Sequence, residues 1–297
     1  MTNYILLAVS LFAVTAGNIL RKFYSAKTQN TLINAFVFSA IGSIVCAIVL
    51  AVWGGISAPS AFTVWFAAIF GAVTVIYNII ILAAYEAGPM SYTTVIVSFS
   101  TIATALSGFL FFDESISPTQ IIGIVLMLAS FSLAVDKSAG EKKASLRWLA
   151  LCFVAFLCCG AVGIMQKVHQ SSAFKDELNE FLFIAFAISF ILSVITIAVL
   201  RARSASSSSA ISCERGKLIA ILLITAINGI TVAVNNKLNL FLSGAMESAI
   251  FFPVMNGGTL MLTTLGALLI FKERLSKRQW IGIAIGMVSV ILLCNPF

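Results

Sequence analysis

Apolar runs, each close to the length at which a helix crosses a hydrocarbon core, recur along the whole chain. Punctuated by turns and charges, they fall near 3–23, 32–53, 62–85, 90–111, 118–135, 146–168, 179–200, 217–242, 246–271 and 278–295. About twenty apolar residues suffice to span a bilayer as helix, and in hydrocarbon each backbone N–H and C=O must be satisfied within its own segment. The expected fold is therefore an all-α integral membrane protein with ten transmembrane helices. With 60% hydrophobic residues, 10% charged ones and a mean hydropathy of +1.07, the chain is more apolar than a soluble core of this length requires. A transmembrane β-barrel is excluded, because period-2 alternation in ten-residue segments is missing.

The net charge of +7 raises the question of nucleic acid as a partner. The basic residues stand at the ends of apolar runs rather than on one amphipathic face, so the partner they imply is the lipid bilayer and no nucleic acid. Connections between odd and even spans hold 15 of the 18 Lys and Arg, among them Arg21, Lys22, Arg147, Arg201, Lys272 and Arg278; the other side holds Lys167, Lys175 and Lys237. The positive-inside rule then predicts a multi-pass protein of the cytoplasmic membrane with basic loops inside and both termini outside. Tyr4 onward reads as a retained first span rather than a signal peptide. The six cysteines show no CxxC or CxxH spacing and read as small apolar residues, so the sequence points to no metal and no cofactor. The serine-rich stretch 204–209 reads as a linker.

Two short motifs recur in step. Phe112-Asp113-Glu114-Ser115-Ile116-Ser117 resembles Phe271-Lys272-Glu273-Arg274-Leu275-Ser276, and Gln120-Ile121-Ile122-Gly123 resembles Gln279-Trp280-Ile281-Gly282, each pair 159 residues apart as Gly123 is from Gly282. Ala87-Gly88-Pro89-Met90 resembles Ser243-Gly244-Ala245-Met246, and Ile19-Leu20-Arg21-Lys22 resembles Ile164-Met165-Gln166-Lys167. Each half thus carries five spans, residues 1–144 and 145–297. An odd number of spans makes the second copy enter the membrane upside down, so the expected arrangement is two inverted five-helix repeats forming one membrane domain.

The pattern Phe-x-Glu-x-x-Ser-x-x-Gln-x-x-Gly that closes each half, on ten spans in two inverted fives, resembles the drug/metabolite transporter superfamily in its EamA-type branch. That resemblance covers essentially the whole chain. It implies carriage of small metabolites such as amino acids, nucleobases, amines or sugar phosphates through a central cavity between the halves, with no enzymatic step. Many family members are described with cytoplasmic termini, whereas the charges here place the termini outside.

Polar residues inside spans are costly in hydrocarbon and mark candidate sites. The densest group is Asn235, Asn236 and Lys237, with Lys237 the first candidate to meet an anionic group on a small-molecule substrate. Further substrate-binding candidates are Asn18, Tyr77, Asn78, Gln166, Asn228 and Asn256, since amides both donate and accept. Glu86 and Glu247 are candidates for proton coupling. Pro253, Gly257, Gly258, Gly88 and Pro89 are candidate helix breaks or hinges. The small residues Ser91, Thr94, Ser98, Thr101, Ala105 and Gly108 form one stripe on the fourth span, as in a close helix contact. Lys22 and Lys167 read as snorkelling to the membrane surface, and His169 as facing solvent.

The function expected from these features is secondary transport of a small polar organic metabolite across the cytoplasmic membrane by alternating access, by a monomer or a homodimer. A lipid flippase and a membrane enzyme acting on a lipid-linked substrate are the alternatives.

Overall fold

The computed structural model describes residues 2–28, 32–55, 57–88, 90–134, 145–203, 215–272 and 276–294, and among them there are eleven α-helices and no strand. The helices are α1 (Thr2–Lys27), α2 (Leu32–Gly54), α3 (Ala61–Ala87), α4 (Met90–Ser98), α5 (Ser100–Phe111), α6 (Pro118–Ala134), α7 (Leu146–Ser171), α8 (Leu178–Arg203), α9 (Arg215–Ala245), α10 (Ser248–Phe271) and α11 (Lys277–Cys294). Helices α4 and α5 are two parts of one span, in which Phe99 N–H is shared between the Val95 and Ile96 carbonyls. Nine spans are long and apolar enough to cross a bilayer, and the 17-residue α6 is the shorter tenth. At 1.5 Å per residue α6 is about 26 Å long, still close to the hydrocarbon thickness. Large apolar side chains such as Phe12, Val52, Trp65, Phe111 and Leu269 stand exposed on the outer surface, where lipid replaces water as solvent. The chain is a multi-pass membrane protein.

Both copies of the recurring motif fold alike. Asp113 and Lys272, at matching positions, are the non-glycine residues with positive φ among the described residues, both 53°. After each comes a capping box: Ser117 N–H donates to Gln120 Oε1 at 2.8 Å while Gln120 N–H donates to Ser117 Oγ, and Ser276 and Gln279 repeat both bonds at the start of α11. Reciprocal bonds of this kind satisfy otherwise orphaned N–H groups at a helix start. The motif glycines then let α6 and α11 pack closely. Ser130 Oγ donates to the Gly282 carbonyl at 2.8 Å and Ser289 Oγ donates to the Gly123 carbonyl at 2.6 Å, while a Cβ on Gly123 would lie 2.8 Å from Leu293.

Apart from this α6–α11 pair, the helices form a ring. Going round it, α1 packs on α9, α9 on α2, α2 on α8, α8 on α3, α3 on α7, α7 on α4 and α5, α5 on α10, and α10 on α1. Glycines make the close approaches. A Cβ on Gly71 of α3 would lie 2.5 Å from the Ala185 carbonyl of α8, and one on Gly229 of α9 would lie 2.6 Å from Val45 of α2. Exchanging the first five spans for the second five returns the same set of neighbours around the ring. The helix ends divide into a basic face, with Lys27, Arg147, Arg201, Lys272 and Lys277, and an acidic face, with Asp113, Glu114, Asp176, Glu177, Glu180 and Glu247.

Candidate functional site: a cavity open at one face

Two connected chambers occupy the ring. The outer one, of about 640 Å³, is bounded by the C-terminal part of α1, the start of α2 and the last turns of α3, and so opens on the basic face. The inner one, of about 210 Å³, lies deeper among α1, α2, α3, α7, α8 and α9. Arg21, Phe38, Ser39 and Asn78 line both chambers, which makes them one tapering path into the membrane.

Of the residues singled out in the sequence, Tyr77 and Asn78 line the path from α3, Asn228 and Asn236 line its inner end from α9, and Glu86 stands at its mouth. Asn228 is fixed by a tight fit, because a Cβ on Gly17 or on Gly42 would lie 3.3 Å from its amide. Hydroxyls of Ser39, Ser43, Thr74 and Ser189 complete the inner wall. Arg21 is a cavity residue that charge counting treats only as a topology marker. It lies well inside α1, its guanidinium carbon sits 5.7 Å from the Phe38 ring centroid, and its exposure is to the cavity.

The remaining candidates hold helices together or lie elsewhere. Ser10 Oγ of α1 donates to Asn235 Oδ1 at 3.0 Å, with Asn239 as a second acceptor. Asn18 Nδ2 donates to Thr263 Oγ1 and Asn256 Nδ2 to Thr101 Oγ1, joining α10 to α1 and α5. Gln166 is buried on α7 and lines neither chamber. Lys237 points away from the path, its ammonium 4.3 Å from the Trp53 ring centroid near the acidic face. Glu247 accepts from Gln120 Nε2 at 3.1 Å and its carbonyl begins α10.

Of the helix breaks that the sequence suggests, one falls at Gly88, between α3 and α4, and none on α10. Helix α10 runs unbroken through Pro253, which stands in its second turn, where loss of one N–H deletes a single bond. Gly257 and Gly258 are contact points instead: a Cβ on the first would collide with Met127 and one on the second would lie 2.9 Å from Leu11. Gly88 ends α3 in extended backbone, with φ −164°, against the Trp148 ring. Pro89 lies outside the described residues, as do Glu273, Cys213 and the stretch 204–209. The stripe on the fourth span is a helix contact, since Gly108 abuts Ser248 of α10 and Thr101 accepts from Asn256.

The acidic face is shut by residues for which the sequence suggests other places. Lys167 does not snorkel: at 5% exposure it forms an ion pair with Glu114 and donates to the Met246 carbonyl at 3.0 Å. Glu114 also accepts from Ser248 N–H at 2.7 Å, capping the start of α10. His169 does not face solvent. Helix α7 continues past the apolar run to Ser171, so His169 is fully buried and stacks on Phe181, centroids 4.2 Å apart. Outside it, Phe62 stacks on Phe66 and on Phe174. Glu177 accepts from Ser60 Oγ at 2.8 Å and from Ser60 N–H, and Glu180 accepts from Ser57 Oγ and N–H, so two carboxylates hold the α2–α3 connection. Finally α7 crosses the ring to reach α9, where a Cβ on Gly244 would lie 2.6 Å from Gln170.

Comparison with known proteins places this geometry. Over 97% of its length the chain superposes on 98% of a protein of known crystal structure with a TM-score of 0.72, at 12% identity, which is a likeness of fold. A relative from Haemophilus influenzae with no characterised function is 27% identical over 197 residues; the match spans 63% of this chain and 60% of that protein's length. The sequence profile of the EamA-like transporter family, a branch of the drug/metabolite transporter superfamily, matches residues 1–135, close to the first half of the chain.

Proposed function

We propose that the protein is a secondary transporter of a small polar organic metabolite, working by alternating access. The observation that carries this reading is a path open at one face, lined at depth by amides and hydroxyls, and closed at the other face by an ion pair, an aromatic layer and two carboxylate latches. Residues 1–144 and 145–297 act as two inverted halves that rock about the inner chamber. Support for the halves comes from the matching motif geometry and from a ring whose neighbours survive exchange of the halves. In such transporters a site near the midplane is exposed in turn to each side. By the distribution of Lys and Arg, the open mouth faces the cytoplasm in the cytoplasmic membrane and the termini lie outside. The transport step is differential binding in two states rather than a covalent step.

The test is flux into proteoliposomes holding the purified protein, screened with amino acids, nucleobases, amines and small carboxylates. Saturable flux that Asn78→Trp abolishes, by filling the neck of the path, is expected. Equal flux with and without that substitution would overturn the reading. Labelling of Ser207→Cys by an impermeant reagent from outside intact cells would overturn the orientation.

A further inference from the structure

The path holds one strong cation at its neck. Arg21 lines both chambers, one side of its guanidinium is covered by Phe38, and among the described residues no carboxylate pairs with it. A guanidinium is always charged and offers a planar fork of donors that matches a carboxylate. Leaving such a group without an anion inside a membrane domain is costly, so its place asks for an anionic partner. The acid of the outer chamber, Glu86, stands in the last turn of α3, at the mouth.

Beyond Arg21 the inner chamber is uncharged, with amides and hydroxyls set among apolar side chains such as Phe70, Val162, Phe186 and Val232. Asn78, Asn228 and Asn236 supply amides, and among the described residues no Asp, Glu, Lys or second Arg lines it. Two ligand chemistries fit it poorly. A phosphate ester carries close to two negative charges and meets one cation, and an ammonium tail meets no carboxylate at depth; a buried charge lacking its partner is costly. A neutral tail with hydroxyl or amide groups finds donors and acceptors at the three amides, and its carbon atoms meet the apolar part of the wall. At roughly 30 Å³ per water, the inner chamber holds about seven waters, so it takes a tail of a few heavy atoms.

We propose that the transported solute is a small monocarboxylate with a neutral hydroxyl- or amide-bearing tail, bound with its carboxylate on the Arg21 guanidinium and its tail among Asn78, Asn228 and Asn236. This assignment rests on the transport reading above and names its substrate class. Arg21 supplies charge and register. The amides supply discrimination between a neutral and a charged tail, because a site built of hydrogen-bonding groups penalises a ligand that leaves them unmatched.

Isothermal titration of the purified protein in detergent tests it with four probes: N-acetylglycine, its neutral counterpart N-acetylglycinamide, glycine and glycerol 3-phosphate. N-acetylglycine is expected to bind at least tenfold tighter than each of the others. Arg21→Gln should erase the preference for acid over amide, and Arg21→Lys should restore part of it, with the thermal unfolding of the unliganded variants reporting that both remain folded. Equal binding of acid and amide, undiminished N-acetylglycine binding by Arg21→Gln, a preference for glycine or glycerol 3-phosphate, or binding of none of the four would each overturn the assignment. The two readings fail separately. If N-acetylglycine binds through Arg21 yet never crosses proteoliposomes, the transport reading falls; if another solute is carried and Arg21→Gln carries it as well, the monocarboxylate assignment falls.

Discussion

At the acidic face α7 crosses the ring and packs on α9, whereas at the basic face their counterparts α1 and α3 stand on opposite walls of a chamber of about 640 Å³. The same local frame serves both faces. Tyr24 packs on Phe38 at 4.6 Å on one side as His169 packs on Phe181 at 4.2 Å on the other. What differs is the chemistry laid over the frame. Acids hold the closed face, through Glu114 on Lys167 and through Glu177 and Glu180 on the α3 start. One packing frame thus serves both faces, and at the shut face it carries an ion pair and two carboxylate contacts.

The ion pair should show the largest effect. Lys167→Met leaves Glu114 buried against α10 without its cation, and breaking a buried pair from one side costs about 3–5 kcal/mol. Chemical unfolding in mixed micelles should report that loss. Lys167→Met combined with Glu114→Gln should cost less than the two single changes summed, since the stranded charge is then gone. A single-variant loss under about 1 kcal/mol, the range of a solvated surface pair, would show that the closed face does not depend on it.

Next comes the crossing itself. Gly244→Val places side-chain carbon where Gln170 of α7 now lies, and overpacking of this kind costs about 1–3 kcal/mol. Because Gly244 meets α7 where the ring is shut, the substitution should favour opening at the acidic face. Faster hydrogen exchange over 172–177 would show it; unchanged exchange there would mean that α7 and α9 part by a different route.

How far the sequence reaches is clearest on α9. The ten spans, the capping boxes and the α6–α11 glycines follow from run length, Ser-x-x-Gln spacing and recurrence, which are local properties. Asn235 and Asn236 are equally polar neighbours, yet a step of about 100° on a helix sends one to Ser10 and the other to the inner chamber. No feature of the run says which is which. Lys167 misleads for a related reason: distance from the end of an apolar run suggests snorkelling, but α7 extends to Ser171 and a carboxylate from another span meets the ammonium. Arg21 counts as one more basic flank until α2 and α3 are placed around it. The turn at Phe99 leaves no mark in composition, and Pro253 leaves one that the helix absorbs.

The α6–α11 pair offers a control that lies outside both closures. Ser130→Ala and Ser289→Ala each delete one buried bond to a carbonyl of the opposite helix, a loss of about 0.5–1.5 kcal/mol. The two losses should be alike by unfolding, and exchange over 172–177 should not change. Unequal losses would break the equivalence of the two copies at the place where it is closest.

The smallest effect belongs to the outermost latch, and it depends on pH. Desolvation, the largest single influence on Glu177, raises its pKa, but hydrogen bonds with Thr63 and Ser60 and the nearby His169 together outweigh it and hold the carboxyl below the usual carboxylate range. A carboxyl that binds its proton less readily in the closed protein than in the unfolded chain stabilises the closed form above its unfolded pKa, near 4.3. That contribution is lost as pH falls through the lower, folded value. Protection over 172–177, the exchange rate taken relative to that of a free amide at the same pH, should therefore be level from neutral pH down to about 5 and fall only in the acid range below the ordinary carboxylate pKa. Glu177→Gln keeps the size of the side chain and removes its charge, so it should give faster exchange at neutral pH and a weaker acid dependence, with the remainder carried by Glu180. A Glu177→Gln profile that keeps the full acid dependence would shift the role of latch to Glu180 and the Ser57 turn alone.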